Sequence, residues 1–170
     1  MADNIVHVAP VRFESFPIQL ELSYEKIHHE ALDPFVRNDG SCGVDLCSPK
    51  HYTVDSMQQV KICTGLVFEL KAGWTAFLKD KSSVVTRKQL VVEGGVIDPG
   101  YRGEIIVVLR NMSPNTQFIK PGDFVAQLIN VYTGLSPKLI PVSHIKNDTR
   151  RGTRGFGGDI GRENTVEKFS

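Results

Sequence analysis

Short stretches of alternating apolar and polar residues recur along most of the chain, and turn residues separate them. A period of two is typical of strands with one buried face, and regularly spaced short strands indicate an all-β barrel or sandwich. The predicted strands are Ile18 to Leu22, Gly43 to Leu46, His51 to Val54, Gln59 to Thr64, Leu66 to Leu70, Trp74 to Leu78, Leu90 to Val92, Ile105 to Leu109, Thr116 to Ile119 and Val125 to Tyr132.

Helical periodicity is nearly absent, and the one candidate helix is Ser82 to Lys88. Its two serines favour a helix start, although the neighbouring pair Val84 and Val85 weakens the prediction. From Lys146 onward the chain is rich in Gly, Arg, Thr, Asn and Asp and has few apolar anchors. We therefore predict one β-barrel domain over residues 1–145 and a flexible C-terminal arm over 146–170.

The amino-acid composition argues against some classes of function. The chain has 170 residues, 41% hydrophobic and 23% charged, which fits one globular domain with its own core. Lys and Arg total 20 against 19 Asp and Glu, so no overall field favours nucleic acid or a membrane surface. No signal peptide or membrane-length apolar run is present, which predicts a soluble cytosolic or nuclear protein. Three cysteines without metal-ligand spacing, Cys42, Cys47 and Cys63, predict buried reduced thiols.

The most distinctive candidate chemistry lies in Gly94 to Glu104, where Asp98 and Tyr101 stand among glycines and a proline. Apolar runs on both sides predict a hairpin, and its glycines would let the backbone approach a flat ligand closely. An ordinary Gly-rich turn with an exposed aspartate has the same composition, so this segment alone leaves both interpretations open.

Four further segments carry polar groups in unusual places. Asp45 lies between apolar strand residues, where it is either hydrogen-bonded or facing a cation, and Gln127 is a lone amide in an apolar strand. Lys79 to Ser83 offers an ammonium, two hydroxyls and turn amides, which suit a phosphate. Arg150 to Gly158 places three guanidinium groups and one aromatic ring on a Gly-rich tail, able to cover an anion and stack on a base.

Taken in order, these five segments over Gly40 to Gly158 resemble the five motifs of the trimeric dUTP pyrophosphatase (dUTPase) family. The resemblance implies a jelly-roll-like β-barrel that assembles as a homotrimer with active sites shared between subunits. It also implies hydrolysis of dUTP to dUMP and pyrophosphate with Mg²⁺, under a C-terminal arm that closes each site. The partner is then dUTP and further copies of the chain, with no nucleic acid and no membrane.

The resemblance also implies residue roles. Asp98 would orient and activate the attacking water, Tyr101 would pack on deoxyribose and reject a ribose, and Asp45 would hold Mg²⁺-bound waters. The hairpin would read uracil through Gly95 and the backbone of Val96, Ile97, Ile106 and Val108. The phosphate contacts would be Lys81, Ser82 and Ser83 of a neighbouring subunit, Gln127 and Arg151, while Phe156 would stack on uracil with Gly157 behind it.

Three departures and two alternatives accompany this interpretation. Lys81 stands where the family usually has Arg, Asp80 where proline is common, and Gly158-Asp159 where Ser-Thr is usual. A dCTP deaminase shares the fold, but the position of its catalytic Glu, three residues before Asn111, holds Val108. A catalytically weakened module that acts through protein partners is the stronger alternative, because of Lys81 and Asp159.

Overall fold

The computed structural model of the chain describes residues 21–37, 40–146 and 149, which form eleven strands and one short helix. The first strands are β1 (Ser23–Lys26), β2 (Gly43–Cys47), β3 (Tyr52–Val54), β4 (Gln59–Cys63), β5 (Leu66–Glu69) and β6 (Trp74–Lys79). After them come α1 (Ser82–Lys88), β7 (Leu90–Glu93), β8 (Val96–Ile97), β9 (Ile106–Asn111), β10 (Gln117–Ile119) and β11 (Phe124–Tyr132).

Two antiparallel sheets supply most of the fold. One has the strand order β2-β11-β6-β8 and the other β4-β9-β7, while β1-β5 and β10-β3 form two-stranded ribbons. The long strand β11 lies between β2 and β6, and this position brings segments far apart in sequence side by side. The buried core residues include Leu46, Ile62, Leu66, Ala76, Leu78, Leu90, Ile105, Val107, Leu109, Ile119, Val125, Ala126 and Leu128.

The all-β prediction is confirmed, and every strand predicted from Gly43 onward is present with its ends shifted by at most two residues. The prediction for Ile18 to Leu22 lies largely outside the described residues, and Glu21 and Leu22 are not in a strand. The first strand begins instead at Ser23. Its four residues are all exposed and mostly polar, so it carries no period-two apolar signal.

Helix α1 has the predicted bounds, Ser82–Lys88. Val84 is buried, so the apolar residue that weakens helix propensity packs against the core instead. The helix ends at Gln89 in the left-handed conformation, with φ of 52°. Lys88 then donates to the Asp123 carboxylate at 2.7 Å and fixes the last turn to the loop before β11.

The three cysteines are free, but the prediction that they are buried was wrong for two of them. Cys42 and Cys63 are exposed and Cys47 is partly buried. In β4 the alternation places Ile62 in the core and therefore turns Cys63 outward.

The described residues 137–146 and 149 belong to a second unit that begins at Pro137, and they contain no helix or strand. Four of their apolar side chains, Leu139, Ile140, Val142 and Ile145, are exposed. In the described part of the chain no helix is long and apolar enough to span a membrane.

Candidate active site

The Gly-rich segment is a hairpin, as predicted. β7 pairs with β9 in antiparallel register from Leu90 opposite Asn111 to Glu93 opposite Val108. Between these strands the chain leaves the sheet, forms β8 and pairs there with β6 of the other sheet. The hairpin therefore opens at its tip, where its two strands belong to different sheets.

The tip is a tight turn that presents Asp98. The Tyr101 N–H donates to the Asp98 carbonyl at 3.0 Å, and Pro99 occupies the second turn position, where its fixed φ is favourable. Arg102 braces the turn, because one Nη1 donates to the Pro99 carbonyl at 2.8 Å and to the Tyr101 carbonyl at 2.9 Å. The Asp98 residue is exposed, and within the described residues its carboxylate has no hydrogen bond or ion pair.

Tyr101 lies across the loop that returns to β9. Its hydroxyl donates to the Glu104 carbonyl at 3.0 Å. A Cβ added at Gly103 would lie 2.4 Å from the Tyr101 hydroxyl oxygen, so only glycine lets the phenol ring lie against the backbone here. The ring is thereby held flat on its own hairpin, with 42% of the residue exposed.

On the β8 side of the hairpin, the direction of the backbone groups distinguishes between the residues that were predicted to contact uracil. The Gly95 carbonyl accepts the Leu78 N–H at 2.7 Å, so the Gly95 backbone faces β6. Backbone groups of successive strand residues point in opposite directions. Ile97 therefore also faces β6, whereas the amide and carbonyl of Val96 face away from it.

The same alternation separates Ile106 from Val108 on the β9 side. The Asn111 N–H donates to the backbone carbonyl of the residue just before β4, and the Met112 N–H donates to the backbone carbonyl of the residue just before β7. Even-numbered residues of β9 therefore point their backbone toward β7. β7 ends opposite Val108, so Val108 is held within the ladder, while the amide and carbonyl of Ile106 face the open end of the hairpin.

A second group of predicted residues lines a cavity of about 270 Å³ where β2, β11 and the start of α1 meet. Its lining is polar and joins three of the five motif segments. The lining residues are Arg37, Ser41, Gly43, Asp45, Lys81, Ser82, Ser83 and Gln127.

An ion pair lies in this cavity. The Lys81 ammonium is 2.6 Å from Asp45 Oδ2, with only 13% of the lysine and 7% of the aspartate side chain exposed. The same ammonium lies 4.6 Å from the centre of the Phe124 ring, a cation–π distance. The Arg37 Nε is 3.9 Å from the same carboxylate oxygen. Asp45, the acid between apolar strand residues, therefore faces cations, which is one of the two environments predicted for it.

Gln127 joins the strands that carry these groups. It lies opposite Asp45 in β2 and opposite Lys79 in β6. Its Nε2 donates to the Asp80 carbonyl at 2.8 Å, which ties β11 to the chain just before Lys81. A Cβ at Gly43 would lie 2.8 Å from the Gln127 Oε1, so the glycine leaves room for the amide beside the cavity.

The tip of the hairpin and the cavity lie at opposite ends of β6. The register pairs Ile97 with Ala76, which places Asp98 level with Thr75 at the beginning of the strand. The cavity adjoins the other end, beyond Lys79. At about 3.3 Å per residue, some 13 Å of strand separate the level of Thr75 from Lys79 alone. One copy of the chain therefore does not bring the Asp98 carboxylate to the Lys81 ammonium.

The cavity carries one side chain suited to a hard cation. Among the described residues there is no group of three or more His, Cys, Asp or Glu side chains that could hold a metal ion. Asp45 is the single carboxylate on the cavity lining, beside three serine residues. This donor set fits Mg²⁺ that is held mainly by substrate phosphates and its own waters, with one protein carboxylate.

Several site residues follow from the structure and not from the sequence patterns. Arg37 and Ser41 line the cavity, and Arg102 braces the hairpin turn. One sequence feature could have indicated Arg37, because it is the lone basic residue just before the glycine-containing segment that leads into β2. The predicted contacts Arg151, Phe156 and Gly157 lie outside the described residues.

Comparisons with known proteins give one consistent result. The family model described as dUTPase matches residues 29–158. A deoxyuridine 5'-triphosphate nucleotidohydrolase from Hydrogenobaculum sp. is 31% identical over 141 residues, which cover 81% of this chain and 96% of the relative. One from Fowl adenovirus A serotype 1 is 33% identical over 137 residues, covering 81% of this chain and 76% of the relative.

Solved structures agree at the level of the fold. The dUTPase of Staphylococcus bacteriophage 80alpha with dUpNHpp superposes with a TM-score of 0.75 and 22% identity, over 82% of this chain and 98% of that one. A mutant dUTPase from phage phi11 of S. aureus, described for its structural Mg(II) ion, gives a TM-score of 0.68 over 75% of this chain and 99% of that one.

Proposed function

Because the chain belongs to the dUTPase family, we propose that it hydrolyses dUTP to dUMP and pyrophosphate. One observation carries the proposal beyond family membership. A hairpin with open backbone groups carries an exposed carboxylate at its tip, level with one end of β6, and a cationic cavity adjoins the other end. Together they supply the two halves of a nucleoside triphosphate site, a base reader with a general base and a phosphate binder.

We propose that two copies of the chain complete each site in a homotrimer. Within a single chain the tip of the hairpin and the cavity lie at opposite ends of β6, and no hairpin residue lines the cavity. Rotational symmetry would bring the hairpin of one copy to the cavity of the next at every interface of a closed ring. Three equivalent sites would result. This separation in the fold supports the shared sites that the family resemblance implies.

At the hairpin, Asp98 is proposed to accept a proton from the water that attacks the substrate phosphorus. Its carboxylate is exposed and carries no competing partner among the described residues. The outward-facing backbone of Val96 and Ile106 would hydrogen-bond the uracil edge. Tyr101, fixed flat by its hydroxyl, would pack on the deoxyribose and leave no room or partner for a 2′-hydroxyl. Val108 is the weaker candidate for a uracil contact, since it lies within the ladder.

At the cavity, Lys81, Ser82, Ser83 and Gln127 are proposed to bind the phosphates. Mg²⁺, when bound, would neutralise phosphate charge as it develops, and Asp45 would hold it through water. The Asp45 carboxylate is committed to Lys81 in the free chain. Substrate phosphates would attract the ammonium away and thereby free the carboxylate. Arg151 and Phe156 of the arm are proposed to cover the γ-phosphate and the base.

A nucleotide panel tests the proposal. Purified protein with Mg²⁺ is given dUTP, UTP, dTTP or dCTP, and release of pyrophosphate and ammonia is measured. We expect rapid pyrophosphate release from dUTP alone. Absence of pyrophosphate release from all four would contradict hydrolysis and favour a binding module that acts through protein partners. Ammonia from dCTP would indicate the deaminase instead. We further propose an intracellular location, where deoxynucleotides are made.

A further inference from the structure

We propose that Arg37 is a further phosphate-binding residue of this site and provides its planar guanidinium. The inference rests on the proposed function, since it assigns a residue to the same phosphate cavity. Arg37 lies outside the five motif segments. It enters the cavity because Phe35 and Asp45 exchange two backbone hydrogen bonds, at 2.7 and 3.0 Å, which fix the preceding loop alongside β2.

The geometry distinguishes two kinds of cation in the cavity. Lys81 is largely buried and contacts Asp45 and the Phe124 ring, so its ammonium is a point charge that is already paired in the free chain. The Arg37 side chain is 54% exposed and its Nε is 3.9 Å from Asp45, beyond direct hydrogen-bond range. Its guanidinium is therefore a nearby and less committed donor, able to form a bidentate pair with a phosphate at small cost.

Charge on the cavity lining supports an anion as the ligand. Arg37 and Lys81 are cationic and Asp45 is the lining's one anion, so one positive charge remains unneutralised. The serine hydroxyls of Ser82 and Ser83 add neutral donors. A terminal phosphate with several oxygens matches this combination better than the single oxygen of a ribose or a base.

The test compares Arg37→Met with Arg37→Lys in the full chain. Arg37→Met keeps an apolar side chain without the charge, and Arg37→Lys keeps the charge without the planar guanidinium. Arg87→Met is the matched control, because Arg87 is exposed in the last turn of α1 and does not line the cavity. Each variant is measured for dUTP hydrolysis, for binding of inorganic triphosphate with Mg²⁺ by calorimetry, and for thermal unfolding.

We expect Arg37→Met to raise the dUTP KM and weaken inorganic triphosphate binding by about tenfold or more. Its kcat should stay within about threefold, since Arg37 is not placed at the reacting water. Arg37→Lys should have a KM and a triphosphate affinity between those of Arg37→Met and the wild type, and Arg87→Met should match the wild type. Combining Arg37→Met with Lys81→Arg should recover part of the lost triphosphate affinity, because a guanidinium returns to the cavity.

The outcomes separate this inference from the proposed function. If the wild type hydrolyses dUTP and Arg37→Met binds inorganic triphosphate as tightly as the wild type, the assignment of Arg37 is wrong. If the wild type does not hydrolyse dUTP but its triphosphate binding depends on Arg37, the site assignment stands and the proposed function does not. A lowered unfolding temperature with unchanged binding would make Arg37 structural, which also contradicts the inference.

Discussion

Gly95 is predicted to be the residue that positions the hairpin, and replacing it with alanine tests this. A Cβ there would lie 2.3 Å from the Leu78 carbonyl oxygen. Carbon and oxygen normally approach to about 3.3 Å, so β8 and β6 would have to separate by roughly 1 Å. Neither atom is at the end of a flexible side chain. The strain therefore falls on the backbone that leads to Asp98.

Three effects set the size of the stability change. Overpacking costs about 1–3 kcal/mol, and weakening the hydrogen bond between Leu78 and Gly95 costs about 1 kcal/mol. The lower chain entropy of alanine offsets about 0.5–1 kcal/mol. A net loss of about 1–3.5 kcal/mol remains, or roughly 2–14 °C in Tm for a domain of this size. Overpacking and the weakened hydrogen bond together outweigh the entropy gain, so the variant should be less stable.

The assay is thermal unfolding at fixed protein concentration, together with dUTP turnover. Gly100→Ala is the matched control, since a Cβ at Gly100 meets nothing within 4 Å and its φ is not positive. We expect Gly100→Ala to unfold like the wild type, and Gly95→Ala to lose both stability and turnover. Equal unfolding temperatures for the two variants would refute the reasoning about close approach of β8 and β6.

Three further predictions concern selectivity, pH and the arm. Tyr101→Ala should narrow the dUTP to UTP ratio of kcat/KM by about tenfold or more, whereas Tyr101→Phe keeps the ring and should keep the ratio; an unchanged ratio in the alanine variant would assign discrimination elsewhere. Hydrogen bonds, first from Arg110 and then from Gln59, lower the pKa of Glu93 below its ordinary value of 4.5. The stability that ionised Glu93 contributes is therefore present above pH 4.5 and is lost as the pH falls through the pKa of the folded state. The Tm difference between wild type and Glu93→Gln should therefore shrink from pH 7 to pH 3, and a constant difference would contradict this account. Truncation before Arg151 should spare folding and remove most dUTP turnover, and full turnover in the truncated chain would show that the arm is dispensable.

Much of the fold could be predicted because its strands carry local signals. Alternating apolar residues and turn residues mark the strands from Gly43 onward, and this information lies within a few neighbouring positions. β1 escaped prediction because its exposed residues include no apolar stripe. β8 escaped because two residues, Val96 and Ile97, are too few to show a period, and its pairing depends on the distant β6.

The site could be predicted residue by residue but not in its arrangement. Motif resemblance named Asp45 and Lys81, yet their 2.6 Å contact depends on β11 lying between β2 and β6. The same long-range order places Arg37 on the cavity and Asp98 at the other end of β6. Pairing between distant strands is set by the whole core, so no local pattern reveals it.

The most direct test of the account is complementation between two inactive variants. Asp98→Asn removes the proposed base and Lys81→Met removes the proposed phosphate cation, so each variant alone should be inactive. The two chains are co-expressed with different tags, and mixed trimers are purified. Because each site would take its hairpin from one copy and its cavity from another, about one site in three should be intact in every purified mixed trimer.

We therefore expect mixed trimers to recover roughly a third of wild-type dUTP turnover. Wild-type chains carrying both tags are the control for the purification. If each site were built within one chain, every chain in the mixture would lack one essential group. Mixed trimers as inactive as either variant alone would then contradict the shared site, which is the central claim.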